Sequence, residues 1–301
     1  YYYAQEKFSP AAKADVEAKV AKMIAVFKQR LQANDWLNAA TREKAITKLN
    51  TIVPHIGYPE QLPERLAKKI VQPGATLLET ALQFRQIEIA HGWSQWQQPV
   101  DRSEWHMPAH LVNAYYDPQQ NQIVFPAAIL QAPFYSLSQS SSANYGGIGA
   151  VIAHEISHAF DTNGASFDEF GSLKNWWTDD DFAAFKVRTD RVVAQFDGLD
   201  SYGAKVNGKL TVSENVADLG GLAAALAAAA QEPDFYATDF FESWATIWRM
   251  KARPEYMQLL AASDPHGPAK LRVNVQVKNF DAFFAAFNVQ PSDGMWLADR
   301  K

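Results

Sequence analysis

The segment VIAHEISHAFD, residues 151–161, constrains this chain more than any other stretch, because it sets His154 and His158 four positions apart with Glu155 directly after the first. On a helix of about 3.6 residues per turn such positions share a face, so both imidazoles can reach one metal ion. Glu155 is turned aside by one step, close enough to touch a metal-bound water and poorly placed to ligate. The plainer alternative is an exposed polar helix face. Against it, Val151, Ile152, Ala153, Ile156, Ala159 and Phe160 surround the polar trio. That pattern predicts a buried helix whose ionisable groups need a partner or a metal.

A zinc ion that activates water takes three protein ligands and keeps a fourth position open. The chain has no cysteine, and His55, His91, His106, His110 and His266 are scattered singly. A better source of the third ligand is TVSENVADLGGLAAALAAAA, residues 211–230. Ser213 can cap a helix there, Glu214 and Asp218 again stand four apart on one face, and the alanine run sustains the helix, while Gly220 and Gly221 let another backbone approach closely. Glu214 completes a His, His, Glu set. Asp218, one turn on, is placed to accept the N–H of a ligating histidine and so fix its tautomer. Taken alone, Glu214 reads as favourable first-turn charge; beside the first motif it reads as a ligand.

HEISHAFD followed by ENVADLGG resembles the neprilysin family of zinc endopeptidases, which includes bacterial oligopeptidases. Further strings agree in order and spacing: VNAYYDPQQNQIVFPAAILQAPFY (112–135), NYGGIGAVIAHE (144–155), NGASFDEFGSLKNWW (163–177), ARPEY (252–256) and DPHGPAKLRVN (264–274). The resemblance implies an α+β, predominantly helical fold, a thermolysin-like zinc lobe with a small β-sheet whose edge strand binds substrate. It also implies one Zn2+ on His154, His158 and Glu214, with Glu155 as general base, and hydrolysis of oligopeptides on the amino side of hydrophobic residues. Asn113 and Ala114 match the family's substrate-binding pair, on a strand whose exposed edge takes an extended peptide by strand addition. The residues are compatible with that, since VNAYY is rich in strand formers and Asp-Pro follows as a turn signal. His266 and Arg272 match the family's donors to the scissile and neighbouring carbonyls. Ile129, Phe134, Val151 and Trp248 fall where the family lines its hydrophobic pocket, although each reads equally well as core.

The rest of the chain bounds this reading. Its 301 residues, 48% hydrophobic and 13% aromatic, suffice for one large domain or two small ones. A net charge of −5 without a lysine or arginine cluster gives no reason to expect nucleic acid, and no apolar run is long enough to span a membrane. The lack of cysteine and of a signal-peptide pattern suits a bacterial cytoplasmic protein. Members of the family are longer and carry a large helical lobe ahead of this region that covers the zinc cleft. The expected division is therefore a helical region over 1–98, the zinc catalytic lobe over 99–301, and an N-terminal covering lobe absent from this chain. Oligopeptides and that lobe are the expected partners. A non-catalytic, zinc-containing peptide-binding fragment is the alternative.

Local signals outline the elements. Ser9-Pro10 reads as a cap with proline at the first helical position, and Val16, Val20, Met23, Ile24 and Phe27 recur at helical spacing. Thr41 is expected to cap the next helix, and residues 9–50 read as helices. Pro54, Pro59 and Pro63 make the stretch around IGYPEQLPE a loop; 75–96 return to helix, 107–127 turn to strands, and 163–178 form a loop between the two motif-bearing helices. The aromatic face at Phe280, Phe283, Phe284 and Phe287 reads as core.

Overall fold

A computed structural model describes residues 2–298. After a short α1 (Tyr2–Lys7), helix α2 (Pro10–Gln32) starts where Ser9 accepts a hydrogen bond from the Ala12 amide at 3.2 Å, with Pro10 in its first turn. Its face of Ala12, Val16, Val20, Met23 and Phe27 is buried. Helix α3 (Ala39–Asn50) is capped by Asn38, whose side chain accepts from the Thr41 amide at 2.9 Å, and not by Thr41 as expected. The Thr41 hydroxyl is committed elsewhere, donating to buried Asp181 Oδ2 at 2.6 Å.

Strand β1 (Val53–Gly57) occupies ground that the prolines had marked as loop. Pro54 is tolerated because β1 is an edge strand. Helices α4 (Glu64–Ala67) and α5 (Leu77–Ser94) follow, the latter opened by a reciprocal cap between Thr76 and Glu79. Strands β2 (Tyr115–Asp117) and β3 (Gln122–Pro126) complete a sheet of order β1-β3-β2. The wholly buried β3 runs parallel to β1, with Val53 opposite Gln122, and antiparallel to β2, with Tyr115 opposite Val124.

A single turn α6 (Ser141–Asn144) passes through a π-helical turn over Tyr145–Gly149 into α7 (Ala150–Ser157), every residue of which is buried. Next come α8 (Asp179–Phe196), a small hairpin β4 (Asp200–Ser201) and β5 (Ala204–Lys205), then α9 (Val212–Ala229). The chain continues through α10 (Ala237–Ile247), α11 (Pro254–Ser263), α12 (Ala269–Asn274) and α13 (Asp281–Phe287). With 53% helix and 6% strand among the described residues, the fold is α+β and predominantly helical. The main core gathers α2, β3, α7, α9 and α10, including Met23, Phe125, Ile152, Leu222 and Trp244. Of the aromatic face on α13, Phe284 is buried and Phe280 and Phe283 pack on that core, while Phe287 is 39% exposed. Among the described residues no helix is long and apolar enough to cross a membrane.

Candidate metal centre

Helices α7 and α9 pack backbone to backbone at the site. A β-carbon at Gly221 would lie 2.6 Å from the His154 backbone nitrogen, so glycine there lets the two helix backbones touch. That contact brings Glu214, two turns earlier on α9, opposite the histidines of α7. His154 Nε2 and His158 Nε2 are 2.9 Å apart, and Glu214 Oε2 lies 3.3 Å from the first and 3.4 Å from the second. Three tetrahedral ligands each about 2.1 Å from a zinc ion would be separated by about 3.4 Å, so the spacing fits. Glu214 Oε2 is buried with no hydrogen-bond donor, an arrangement that is costly unless a cation sits between it and the imidazoles. Glu155 is the other nearby carboxylate, its ligand-type atom within 4.8 Å of those of His154 and His158. Glu214 is the closer of the two and fits as third ligand, which leaves Glu155 beside the centre.

Both imidazoles are oriented from behind. His154 Nδ1 lies 2.8 Å from Asp218 Oδ1, and His158 Nδ1 lies 2.6 Å from Asp161 Oδ2. Asp161 accepts from His158 Nδ1 and Asp218 stands at contact distance from His154 Nδ1, which turns both Nε2 atoms toward the common centre. Asp218 is itself gripped by Arg272, whose Nε donates at 2.7 Å and Nη2 at 2.6 Å, with the guanidinium 3.7 Å above the Trp248 ring. Asp161 is held by the amides of Asn163 and Gly164 at 2.8 and 2.7 Å and by the Ser213 hydroxyl at 2.6 Å. Ser213 therefore lies inside α9, which begins at Val212, and is not the cap expected of it. Asp161 escaped the sequence reading, although its place three residues after His158 within the quoted motif was an available signal. Lys48 escaped it too. Buried on α3, it donates to the carbonyls of Ala159, Gly164 and Phe167 at 2.8, 2.7 and 2.7 Å, and a lysine in TREKAITKLN looks like any solvated helix charge.

Burial disfavours charge on both imidazoles, yet the carboxylates of Asp218 and Glu214 at His154, and of Asp161 and Glu214 at His158, draw them above the ordinary histidine range. A divalent cation would compete for that same negative field. Burial pushes the Glu155 carboxyl up despite the neighbouring histidines. Desolvation works the same way on partly buried Glu214, but its imidazole partners pull it far below the usual carboxylate range. Asp218, with burial opposed chiefly by the Arg272 cation, sits at about 2, and burial brings Lys48 down to about 8 against the pull of Asp161.

A cavity of about 470 Å³ opens onto this centre, and Asn113, Ala114, Ile129, Phe134, Val151, Trp248, His266 and Arg272 all line it. Met107, Val112 and Trp244, which the sequence reading passed over, line it as well. Asn113 and Ala114 precede β2 and are not part of it, because pairing with β3 starts only at Tyr115. His266 is 45% exposed; its Nδ1 lies 2.8 Å from Asp264 Oδ1 and its Nε2 3.2 Å from Glu214 Oε2. A wider groove of about 1090 Å³ between α2, β1 and α5 holds His91, Glu104 and Arg65, which are paired with one another and carry no comparable constellation.

Residues 113–301 match the sequence model of peptidase family M13, and residues 1–59 match the family's N-terminal model. The neutral endopeptidase of Lactococcus lactis subsp. lactis (strain IL1403) is 52% identical over 297 residues, covering 99% of this chain and 47% of that protein. The crystal structure of PepO from Lactobacillus rhamnosis HN001 superposes with a TM-score of 0.94 at 48% identity, over 99% of this chain and 47% of that one. The inhibitor complex of the Mycobacterium tuberculosis zinc metalloprotease Zmp1 superposes with a TM-score of 0.88 at 36% identity, again over 99% of this chain and 47% of that one. The chain thus spans about half the length of the relatives it matches. With the fold, the two motif-bearing helices and these matches together, the chain belongs to peptidase family M13, the neprilysin family that its motifs resemble.

Proposed function

We propose that this chain carries the catalytic centre of a zinc-dependent endopeptidase that cleaves oligopeptides on the amino side of hydrophobic residues. The convergence of His154 Nε2, His158 Nε2 and Glu214 Oε2 within 2.9 to 3.4 Å carries the reading. One zinc ion bound there would lower the pKa of a water to about 7 and polarise the peptide carbonyl. Glu155, kept basic enough by burial to accept a proton, takes it from the attacking water and passes it to the leaving amine. His266 and Arg272 donate to the oxyanion and to the neighbouring carbonyl; losing one such donor typically costs about 3 kcal/mol in the transition state. Asn113 and Ala114 hold the extended substrate backbone, and Ile129, Phe134, Val151 and Trp248 receive the side chain after the cut.

The chain's span of about half its relatives' length favours a second reading, a non-catalytic, zinc-containing peptide-binding fragment. Zinc stoichiometry, measured together with cleavage of an internally quenched peptide with and without chelator, separates the two. One zinc per chain with chelator-sensitive cleavage supports the peptidase. One zinc with no cleavage, even when the rest of the relatives' length is supplied, supports the fragment.

A further inference from the structure

Ser213 stands directly before the third ligand, yet its hydroxyl serves neither as a helix cap nor as the back-bond to a carbonyl one turn earlier that a helical serine usually makes. Instead it crosses to the other motif and donates to Asp161 Oδ2 at 2.6 Å. The same oxygen lies 2.6 Å from His158 Nδ1. The other carboxylate oxygen is filled by the backbone amides of Asn163 and Gly164 at 2.8 and 2.7 Å, and the Asn163 side-chain amide donates to Ser213 Oγ at 3.2 Å. All the acceptor sites of Asp161 are therefore engaged, and only the bond to Ser213 comes from α9.

We infer that Ser213 is a positioning residue for the metal ligands: through Asp161 it fixes the His158 ring relative to the backbone that carries Glu214. Without the hydroxyl, Asp161 would lose its one hydrogen bond from α9 and keep only the His158 imidazole and the two backbone amides, so the His158 ring would no longer be tied through its carboxylate to the backbone that carries Glu214. The inference rests on the zinc reading above and assigns a role to a side chain that does not itself ligate.

The test is zinc affinity by chelator competition on the wild-type chain and on Ser213→Ala and Ser213→Thr, with Co2+ absorption spectra and apo-protein melting temperatures measured alongside. Ser213→Ala is expected to weaken zinc about tenfold, the low end of what removing an outer partner of a ligand does, and to alter the Co2+ ligand-field bands while the apo melting temperature holds. Ser213→Thr, which keeps the hydroxyl, is expected to restore both affinity and spectrum. Wild-type affinity in Ser213→Ala overturns the inference, as does equal weakening in the alanine and threonine variants. Failure of the wild-type chain to bind zinc at all overturns the zinc reading itself, which is visible in a separate arm.

Discussion

Glu155, buried, and Glu214, partly buried, are two carboxylates facing the same pair of imidazoles, and their surroundings drive them apart. Burial raises the first, while close imidazole contacts depress the second. Opposed directions of this kind fit the proton acceptor and ionised ligand proposed above. Glu155→Gln should accordingly retain one zinc per chain by metal analysis and lose hydrolysis by a factor of about a thousand or more, whereas Glu214→Ala should lose both. Near-normal turnover in Glu155→Gln would remove Glu155 from the mechanism. Lys48 makes its contribution through the turn that follows His158. Lys48→Met leaves the carbonyls of Ala159, Gly164 and Phe167 without their donor, and an unpaired buried acceptor costs about 1–3 kcal/mol each. Removing the buried charge offsets part of that, so denaturant titration should show a net loss of about 3 kcal/mol.

Elements were legible in the sequence where one signal ruled a segment, and less so where tertiary contacts competed. Ser9-Pro10 and the apolar face of α2 fall where periodicity and capping chemistry put them. Thr41 and Ser213 have the right chemistry for caps, but Asp181 and Asp161 claim their hydroxyls; no local pattern reveals a partner more than fifty residues away. β1 was hidden by Pro54, and the edge position that makes the proline acceptable is itself a tertiary fact. The same cap region yields a pH prediction. Burial acts against the Asp181 charge, but hydrogen bonds from Thr41, Thr178 and the Asn38 amide outweigh it and hold the carboxyl below its ordinary value. The stabilisation is thus fully present above the unfolded pKa of about 3.9 and lost as pH falls through the lower folded value. Asp181→Asn should cost about 2 kcal/mol at neutral pH and flatten the acid limb of the stability curve. An acid limb as steep as wild type in that variant would contradict this assignment. Gly221→Ala tests the helix contact itself. Its new methyl would meet the His154 backbone at 2.6 Å, so α9 must move away, and both melting temperature and zinc affinity should fall together.

Across the whole molecule, the α7 to α9 contact joins residues some sixty positions apart into one centre, and the stretch 1–59 contributes to it through Lys48. The paired histidines and the acidic helix were readable because spacing on a helix is a local property. Lys48 behind them was not, because its role depends on how the turn over 159–167 folds against α3, whereas Asp161, three residues after His158, stood within the same local motif. A zinc ion held by these three side chains should make folding stability depend on that ion. At free zinc about a thousand times its dissociation constant, binding adds about 4 kcal/mol, so chelator should lower the melting temperature by roughly 8 °C. An unchanged melting temperature would show that the carboxylates and imidazoles are satisfied without metal. The most direct measurement is an anomalous difference map at the zinc absorption edge from crystals grown with the metal. The expected result is a single strong peak about 2.1 Å from His154 Nε2, His158 Nε2 and Glu214 Oε2 together; a peak that excludes Glu214, or none at this centre, would contradict it.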